Sequence, residues 1–285
     1  MAARGGRSTG TEAKSVTDAP AEPVPHRTLL HRLINNLRTQ NWTAIGLEFL
    51  VVVFGVFLGL QATNWNAGLS DRRDEAEALR EIAADIRQDR QEIVGARNVA
   101  LRRLAAMREV LILARGQAPT EVNLRSGTGE AAGGYVRTPV PQTPALTASE
   151  RGAMWSIISA AYYPSPTSPS FDSLISSGRI HILRDDALVR DIQTYRLASG
   201  YLIATQNETL RPISVTVRER GEAHGLSSFG LVDEQVLARE VADSPELAAI
   251  IESQMGWAMV QLERMEDVDE RGAALLARIE ANQAP

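Results

Sequence analysis

The sequence predicts a mostly α-helical protein with a single N-terminal transmembrane helix, and three observations lead to this fold class. The first is an apolar stretch near the amino terminus, residues 42–65. The second is a seven-residue spacing of apolar side chains over residues 71–114. The third is a series of helix start and stop signals along the remaining chain. Together they predict a membrane helix, a long stalk helix and an antiparallel helical bundle with a loop-rich insertion.

Composition excludes several classes of function. The chain has 285 residues, of which 44% are hydrophobic and 23% charged, and it contains no cysteine. Disulfides, thiolate catalysis and cysteine metal sites are therefore excluded. The net charge is −5 with both signs interspersed, which predicts no nucleic-acid partner. The four histidines are scattered and no pair of them within residues 67–285 has metal-ligand spacing, so we predict no catalytic, cofactor-binding or metal-binding residue and no enzyme.

Two segments precede the apolar stretch. Residues 1–25 consist mainly of Ala, Gly, Pro, Ser and Thr, and their low apolar content predicts a disordered tail. Residues 26–40 have leucine and isoleucine at helical spacing, with arginine on the other side. This pattern predicts a basic amphipathic juxtamembrane helix on the anionic cytoplasmic membrane surface. The alternative is that its apolar stripe packs on another protein.

The apolar stretch has the length and the flanking residues of a membrane span. Between residues 44 and 60 the only charged side chain is that of Glu48. A helix over residues 42–65 rises about 34 Å, close to the thickness of a bilayer core with its edges. Trp42 and Trp65 fall at its two ends, where amphipathic rings prefer the membrane interface. We predict one transmembrane helix in the lipid bilayer with these two residues as interface anchors.

The basic residues decide the predicted orientation. Within about 20 residues of each end of the span the Lys and Arg counts are equal, but Arg4, Arg7 and Lys14 add positive charge to the amino-terminal side. We therefore predict a bacterial inner-membrane protein with a cytoplasmic N-terminus and a periplasmic domain, residues 67–285. A cleaved signal peptide is the rival, and the basic region before the apolar run is too long for one.

One face of the predicted span combines small residues with a carboxyl group. Gly55 and Gly59 match the small-xxx-small pattern that lets two helix backbones approach closely. At about 100° per residue, Glu48 and Val52 lie on the same face. A carboxyl group near membrane depth usually faces protein or water, so this face is predicted to bind a second copy or a membrane protein partner. The alternative is that Glu48 reaches the headgroups.

The predicted periplasmic domain begins with a long helix. Its apolar stripe indicates packing against helices of the same chain, and a companion stripe is interrupted by charged residues that include Asp89 and Arg103. The Gly- and Pro-rich segment 116–147 predicts an irregular excursion, extended over residues 134–138. Residues 179–183 alternate and predict a short strand or an extended link.

Capping signals mark the later helices. Asp185 and the Ser244-Pro245 pair are predicted to begin helices. Pro212 is predicted to kink or restart the helix that follows Asp185, and Gly221 to end it.

Aromatic residues cluster in one part of the chain. If the excursion folds over the helix that begins at Asp185, eight rings are predicted to line a pocket. The alternative is an aromatic core beneath a loop. The eight residues are Tyr135, Trp155, Tyr162, Tyr163, Phe171, His181, Tyr195 and Tyr201.

The end of the span carries a recognisable motif. Residues 61–66 read Gln-Ala-Thr-Asn-Trp-Asn, and together with the preceding apolar residues from Glu48 they resemble an uncharacterised family of bacterial single-span proteins. Members have an N-terminal apolar helix ending in Gln-x-x-Asn-Trp-Asn and then a long charged helix. A Ser-Gly turn, here Ser177-Gly178, precedes an Asp-capped helix. The resemblance implies the architecture and no activity.

The predicted function follows from the anchor and the bundle. We predict a single-pass membrane-anchored helical scaffold or interaction protein that self-associates or pairs with a membrane partner. One alternative is a periplasmic ligand-sensing bundle that acts through a partner. Another is a subunit of an ion-coupled membrane complex, which depends on Glu48 alone.

Overall fold

A computed structural model describes residues 42–125 and 134–283 of the chain. It is mostly helical, as the sequence predicts, and it contains one long apolar helix. The predicted tail 1–25 and juxtamembrane helix 26–40 lie outside the described residues. The chain divides into two units between Trp65 and Asn66. We describe each unit by itself.

The described part of the chain begins with one long helix, which two strands follow. After the strands come nine helical segments of the α, π or 3-10 type. In chain order they are α1 (Trp42–Arg115), β1 (Glu121–Arg125), β2 (Tyr135–Pro139), α2 (Ala148–Gly152), α3 (Met154–Ser159), α4 (Pro169–Ser176), a 3-10 helix (Arg179–Ile182), α5 (Asp186–Thr205), a π-helix (Gln206–Leu210), α6 (Arg211–Ala223), α7 (Glu234–Asp243) and α8 (Pro245–Gln283).

Three long helices form the centre of the second unit. The part of α1 beyond residue 66 runs antiparallel to α8, because its ion pairs run in opposite order along the two helices (Arg87–Glu280, Arg97–Glu266, Arg115–Glu252). The helix α5 is also antiparallel to α8, as its own contacts show (Asp191–Arg278, Tyr201–Arg264). This part of α1 and α5 are therefore parallel to each other.

The apolar stripe of α1 supplies much of the core. Ile86, Ile93 and Met107 are each at most 1% exposed. They divide between two buried clusters, one that includes Tyr195 of α5 and one that includes Trp155 of α3. The predicted packing of this helix against helices of the same chain is confirmed. From Ala78 onward its apolar stripe is buried, against α4, α5 and α8 in one cluster and against α3, α6, α7 and α8 in the other.

The predicted irregular excursion contains a β-hairpin. β1 pairs antiparallel with β2, with Asn123 opposite Arg137. The predicted extended segment 134–138 corresponds to β2. The sequence of β1, Glu-Val-Asn-Leu-Arg, alternates polar and apolar residues as a half-buried strand does. This strand was not predicted, because the pattern is short and the residues around it are typical of turns.

The proline at position 212 changes the helix in an unexpected way. Proline has no N–H, and its ring crowds the carbonyl four residues earlier, here that of Glu208. That carbonyl lies in the π-helix Gln206–Leu210, so the predicted kink takes the form of a wider helical turn. The prediction that Gly221 ends the helix is wrong: α6 continues to Ala223, and Gly225 adopts a positive φ of 74°.

The segment 179–183 is helical rather than extended. Gly178 follows the end of α4 and has a φ of 71°, in the left-handed region that favours glycine. The next residues form the 3-10 helix, in which the Leu183 amide donates to the Ile180 carbonyl at 3.2 Å. No strand lies beside this segment among the described residues, so local bonds satisfy its backbone. Asp185 then caps α5, as predicted, by accepting from two backbone amides.

Candidate functional site

No residue in the apolar part of α1 is buried. A stretch of 18 residues in this part has a mean hydropathy of 2.3, and 0% of the stretch is buried. By length and composition the helix can therefore cross a membrane. Trp42 is 66% exposed and Trp65 is 75% exposed. Nothing lies within 4 Å of the positions that a Cβ would occupy at Gly55 or Gly59. The face that carries Glu48 and Val52 therefore has no partner within the described part of the chain.

The structure does not bring the eight aromatic and histidine residues together in one pocket. Trp155, Phe171 and Tyr195 are each at most 1% exposed and belong to the core clusters. For these three the alternative interpretation, an aromatic core, describes their position. They are buried because α3, α4 and α5 each turn one apolar face toward the long helices.

Three others lie at separate positions in contact with backbone or a carboxylate. The Tyr162 hydroxyl donates to Glu92 at 3.1 Å, which raises the pKa of this tyrosine. The Tyr163 hydroxyl donates to the carbonyl of Leu210 at 3.0 Å. His181 is exposed, and its Nδ1 lies 3.1 Å from the carbonyl of Gly178.

Two of the eight residues, Tyr135 and Tyr201, line one groove. It has a volume of about 950 Å³ and lies between the hairpin, the carboxyl end of α5 and the middle of α8. Trp257 of α8 supplies a third ring to the same groove. A volume of this size lies within the range of small-molecule sites. Sequence reasoning missed Trp257 because it lies about 50 residues beyond the tyrosine cluster.

The positively charged side chain of Arg264 lies at the edge of this groove. The guanidinium of Arg264 is stacked 4.8 Å above the ring centre of Tyr201. Its Nε is buried without a hydrogen-bond partner, and among the described residues Arg264 forms no ion pair. By contrast, Glu252, which also lines the groove, pairs with Arg115 at 3.1 Å.

A ladder of carboxylates on α1 binds the proline-rich segment 164–170. Three backbone amides donate to three side chains in antiparallel order: Ser165 to Glu92 at 3.2 Å, Thr167 to Asp89 at 3.0 Å and Ser170 to Asp85 at 2.9 Å. The prolines of this segment have no N–H, so only its serine and threonine residues can donate backbone hydrogen bonds. These hydrogen bonds hold the chain that leads into α4, which pairs with no strand in the described structure.

Asp89 is the buried member of the ladder, at 5% exposure. Burial raises its pKa from the ordinary value of 3.8 to about 6, although hydrogen bonds from Thr167 and Tyr195 oppose the shift. Burial and the Asp89 charge raise the pKa of Tyr195 in turn. Asp89 interrupts the companion stripe of α1, and this signal in the sequence marks a buried polar contact.

Arg103, another charged residue that interrupts the stripe, is also buried, at 3% exposure. Its Nε donates to the carbonyl of Ile158 at 2.7 Å, and a second nitrogen donates to Gln254 at 2.5 Å. Burial lowers the pKa of Arg103. Asp89 and Arg103, the two buried interruptions of the stripe, thus link α1 to other elements through hydrogen bonds in the core.

No group of three or more His, Cys, Asp or Glu side chains is placed to hold a metal ion within residues 42–125 and 134–283. The arrangement defines a helical-bundle protein that carries one long apolar helix. The chain matches no protein-family model, no curated protein and no solved structure. Its resemblance to single-span bacterial proteins therefore stays a prediction.

Proposed function

We propose that this chain is a single-pass membrane-anchored interaction protein of the bacterial inner membrane. Its residues 42–65 cross the lipid bilayer, its N-terminus is cytoplasmic and its helical domain is periplasmic. The observation that carries the proposal is the exposure of the apolar helix, with 0% of its 18-residue stretch buried. Exposure of so much apolar surface to water costs free energy, whereas the same surface in contact with lipid tails does not.

The proposal assigns the partner contact to the span. Glu48, Val52, Gly55 and Gly59 lie within about 60° of one another around the helix axis. The open space at both glycines permits close approach of a second backbone. We assign this face to self-association or to pairing with another membrane helix.

Crosslinking tests the face directly, because the chain has no cysteine and any introduced one is unique. In Val52→Cys the thiol lies on the proposed face, whereas in Val53→Cys it lies about 100° away. Under mild oxidation in native membranes we expect disulfide-linked dimers from Val52→Cys and none from Val53→Cys. Equal crosslinking by both variants would contradict a specific face.

Glycine substitution distinguishes a second copy from another partner. Replacing Gly55 and Gly59 with leucine is expected to abolish association in a membrane-based dimerisation assay. Gly46→Leu is the matched control, since Gly46 lies about 180° from Gly55 around the helix. Association unchanged by the double substitution rules out self-association through this face. Loss of a copurifying membrane protein in the same variant assigns the face to that partner.

Labelling of intact cells tests the topology. A membrane-impermeant maleimide that enters the periplasm is expected to label Ser227→Cys, which lies in the helical domain, and to leave Ser8→Cys unlabelled until the cells are opened. The reverse pattern would place the domain in the cytoplasm.

A further inference from the structure

We propose that the groove between the hairpin, α5 and α8 binds a small zwitterion that carries a planar ring, of the chemical class of the aromatic amino acids. This inference does not depend on the membrane anchor or on association through the span. It rests on the rings, the charges and the shape of the groove.

The rings supply the apolar part of the site. Tyr135 is 76% exposed and Tyr201 is 57% exposed, and both side chains line the groove. Trp257 contributes a partly buried ring from α8. Exposed aromatic side chains around a concave surface suit a flat ring, because ring pairs gain energy in offset or edge-to-face geometries.

The charges that line the groove leave one positive and one negative group without an ion pair. Arg264 has no carboxylate partner in the part of the chain that the structure describes, and neither does Glu263. The charge of Glu252 is compensated by Arg115. A zwitterion matches this pattern: its carboxylate accepts hydrogen bonds from the Arg264 guanidinium, and its ammonium donates to Glu263.

Stacking on Tyr201 prepares Arg264 for this role. The contact at 4.8 Å covers one face of the guanidinium. Its Nε is buried, so the terminal N–H groups are the donors available to a ligand. The planar fork of donors matches a carboxylate, and stacking reduces the freedom that binding would otherwise remove.

The local backbone keeps the site open and adds polar groups. A Cβ at Gly256 would meet nothing within 4 Å, so the groove floor is free at this position. Thr205 and Thr209 line the opposite wall, next to and within the π-helix. Single π-helical turns occur often at functional sites, which is consistent with a ligand here.

Equilibrium dialysis of the full chain in lipid nanodiscs tests the proposal, with radiolabelled phenylalanine, tyrosine and tryptophan as probes. We expect saturable binding of at least one of them. Gly256→Leu fills the groove and is expected to weaken binding about tenfold or more, which corresponds to about 1.4 kcal/mol. Gly200→Leu is the matched control: it is an exposed glycine of α5 with equally free space, outside this groove. Its binding is expected to equal that of the wild type.

Ligand analogues separate the two charge contacts. Phenethylamine lacks the carboxylate and 3-phenylpropionate lacks the ammonium, so each is expected to bind about tenfold more weakly than phenylalanine. In Arg264→Gln the advantage of phenylalanine over phenethylamine disappears, and in Glu263→Gln its advantage over 3-phenylpropionate disappears. Circular dichroism confirms that each variant is folded.

Three results would overturn the proposal. They are no saturable binding of any of the three amino acids, equal binding by Gly256→Leu and the wild type, or binding of uncharged benzyl alcohol as tight as that of phenylalanine. None of these results bears on the crosslinking of the span, so failure here and failure of the anchor proposal are distinguishable.

Discussion

The hydroxyl of Tyr195 donates a 2.9 Å hydrogen bond to Asp89, and this bond joins α5 to α1 inside the core. Tyr195 is 1% exposed and Asp89 is 5% exposed. The same carboxylate accepts from the amide of Thr167 at 3.0 Å, so one side chain connects α1 to both α5 and the proline-rich segment. A buried polar group of this kind stabilises the fold only while its partners are present.

Removal of the Tyr195 hydroxyl should therefore destabilise the domain. In Tyr195→Phe the Asp89 carboxylate loses a donor but stays buried, and we expect a decrease of about 1–3 kcal/mol in the free energy of unfolding. Urea denaturation of the full chain in detergent measures it. Tyr201→Phe, on the same helix and 57% exposed, should change stability by less than about 0.5 kcal/mol. Equal effects of the two substitutions would contradict the role of the hydroxyl bond.

The raised pKa of Asp89 predicts a pH dependence of stability. Its pKa is about 6 in the folded chain against an ordinary 3.8, so the folded state binds more protons than the unfolded state between these values. The contribution of Asp89 to stability is present below about pH 4, falls as the pH rises to about 6 and is constant above. Its size is at most about 3 kcal/mol.

Asp89→Asn should remove this dependence, because asparagine does not titrate. We expect the stability of the wild type, relative to Asp89→Asn, to fall between pH 4 and pH 7 in denaturation experiments at matched ionic strength. The titratable groups that act on Asp89 are Asp85 and Glu92 on α1 and Tyr195 on α5. Tyr195 in turn faces Asp269 on α8, which pairs with Arg90. Parallel pH profiles of the two proteins would show that Asp89 does not titrate in this range.

Gly221 is predicted to tolerate no side chain. A Cβ there would lie 1.8 Å from Cζ2 of the buried Trp155, so Gly221→Ala forces α6 or the indole ring to move. We expect a loss of about 1–3 kcal/mol by thermal or urea unfolding, as is typical of overpacking. Gly200→Ala, in an exposed helical position with free space, should instead stabilise by about 0.5–1 kcal/mol. A neutral Gly221→Ala would indicate that α6 packs less closely on α3.

Arg103 should matter far more than its neighbour Arg102. Arg103→Met leaves the Ile158 carbonyl and the Gln254 amide oxygen without this donor in the core, and we expect a loss of about 2–4 kcal/mol. Arg102 pairs with Glu150 at 2.9 Å, but its side chain is 61% exposed. Arg102→Met should cost less than about 1 kcal/mol. Similar values from urea denaturation for the two variants would contradict the buried role of Arg103.

The helices of this protein follow from local signals in the sequence. Asp185 caps α5 because its carboxylate reaches two free amides, and Gly178 ends the preceding turn because it adopts a positive φ without steric cost. The apolar stretch 42–65 and the apolar stripe from Leu79 each identify a long helix. Both patterns depend only on residues that are neighbours along the chain. These features were predictable.

The candidate site was not predictable, because it depends on residues distant in sequence. Tyr201 and Arg264 meet only where α5 and α8 lie side by side, and the hairpin brings Tyr135 to the same groove. Composition placed Tyr195 in the same aromatic cluster, but packing buried it against Asp89. The sequence by itself determined the long helices and the apolar stripe that each buries in the bundle. Only the tertiary structure decided which side chains are enclosed and which line a groove, because burial depends on the neighbours that the folded chain provides.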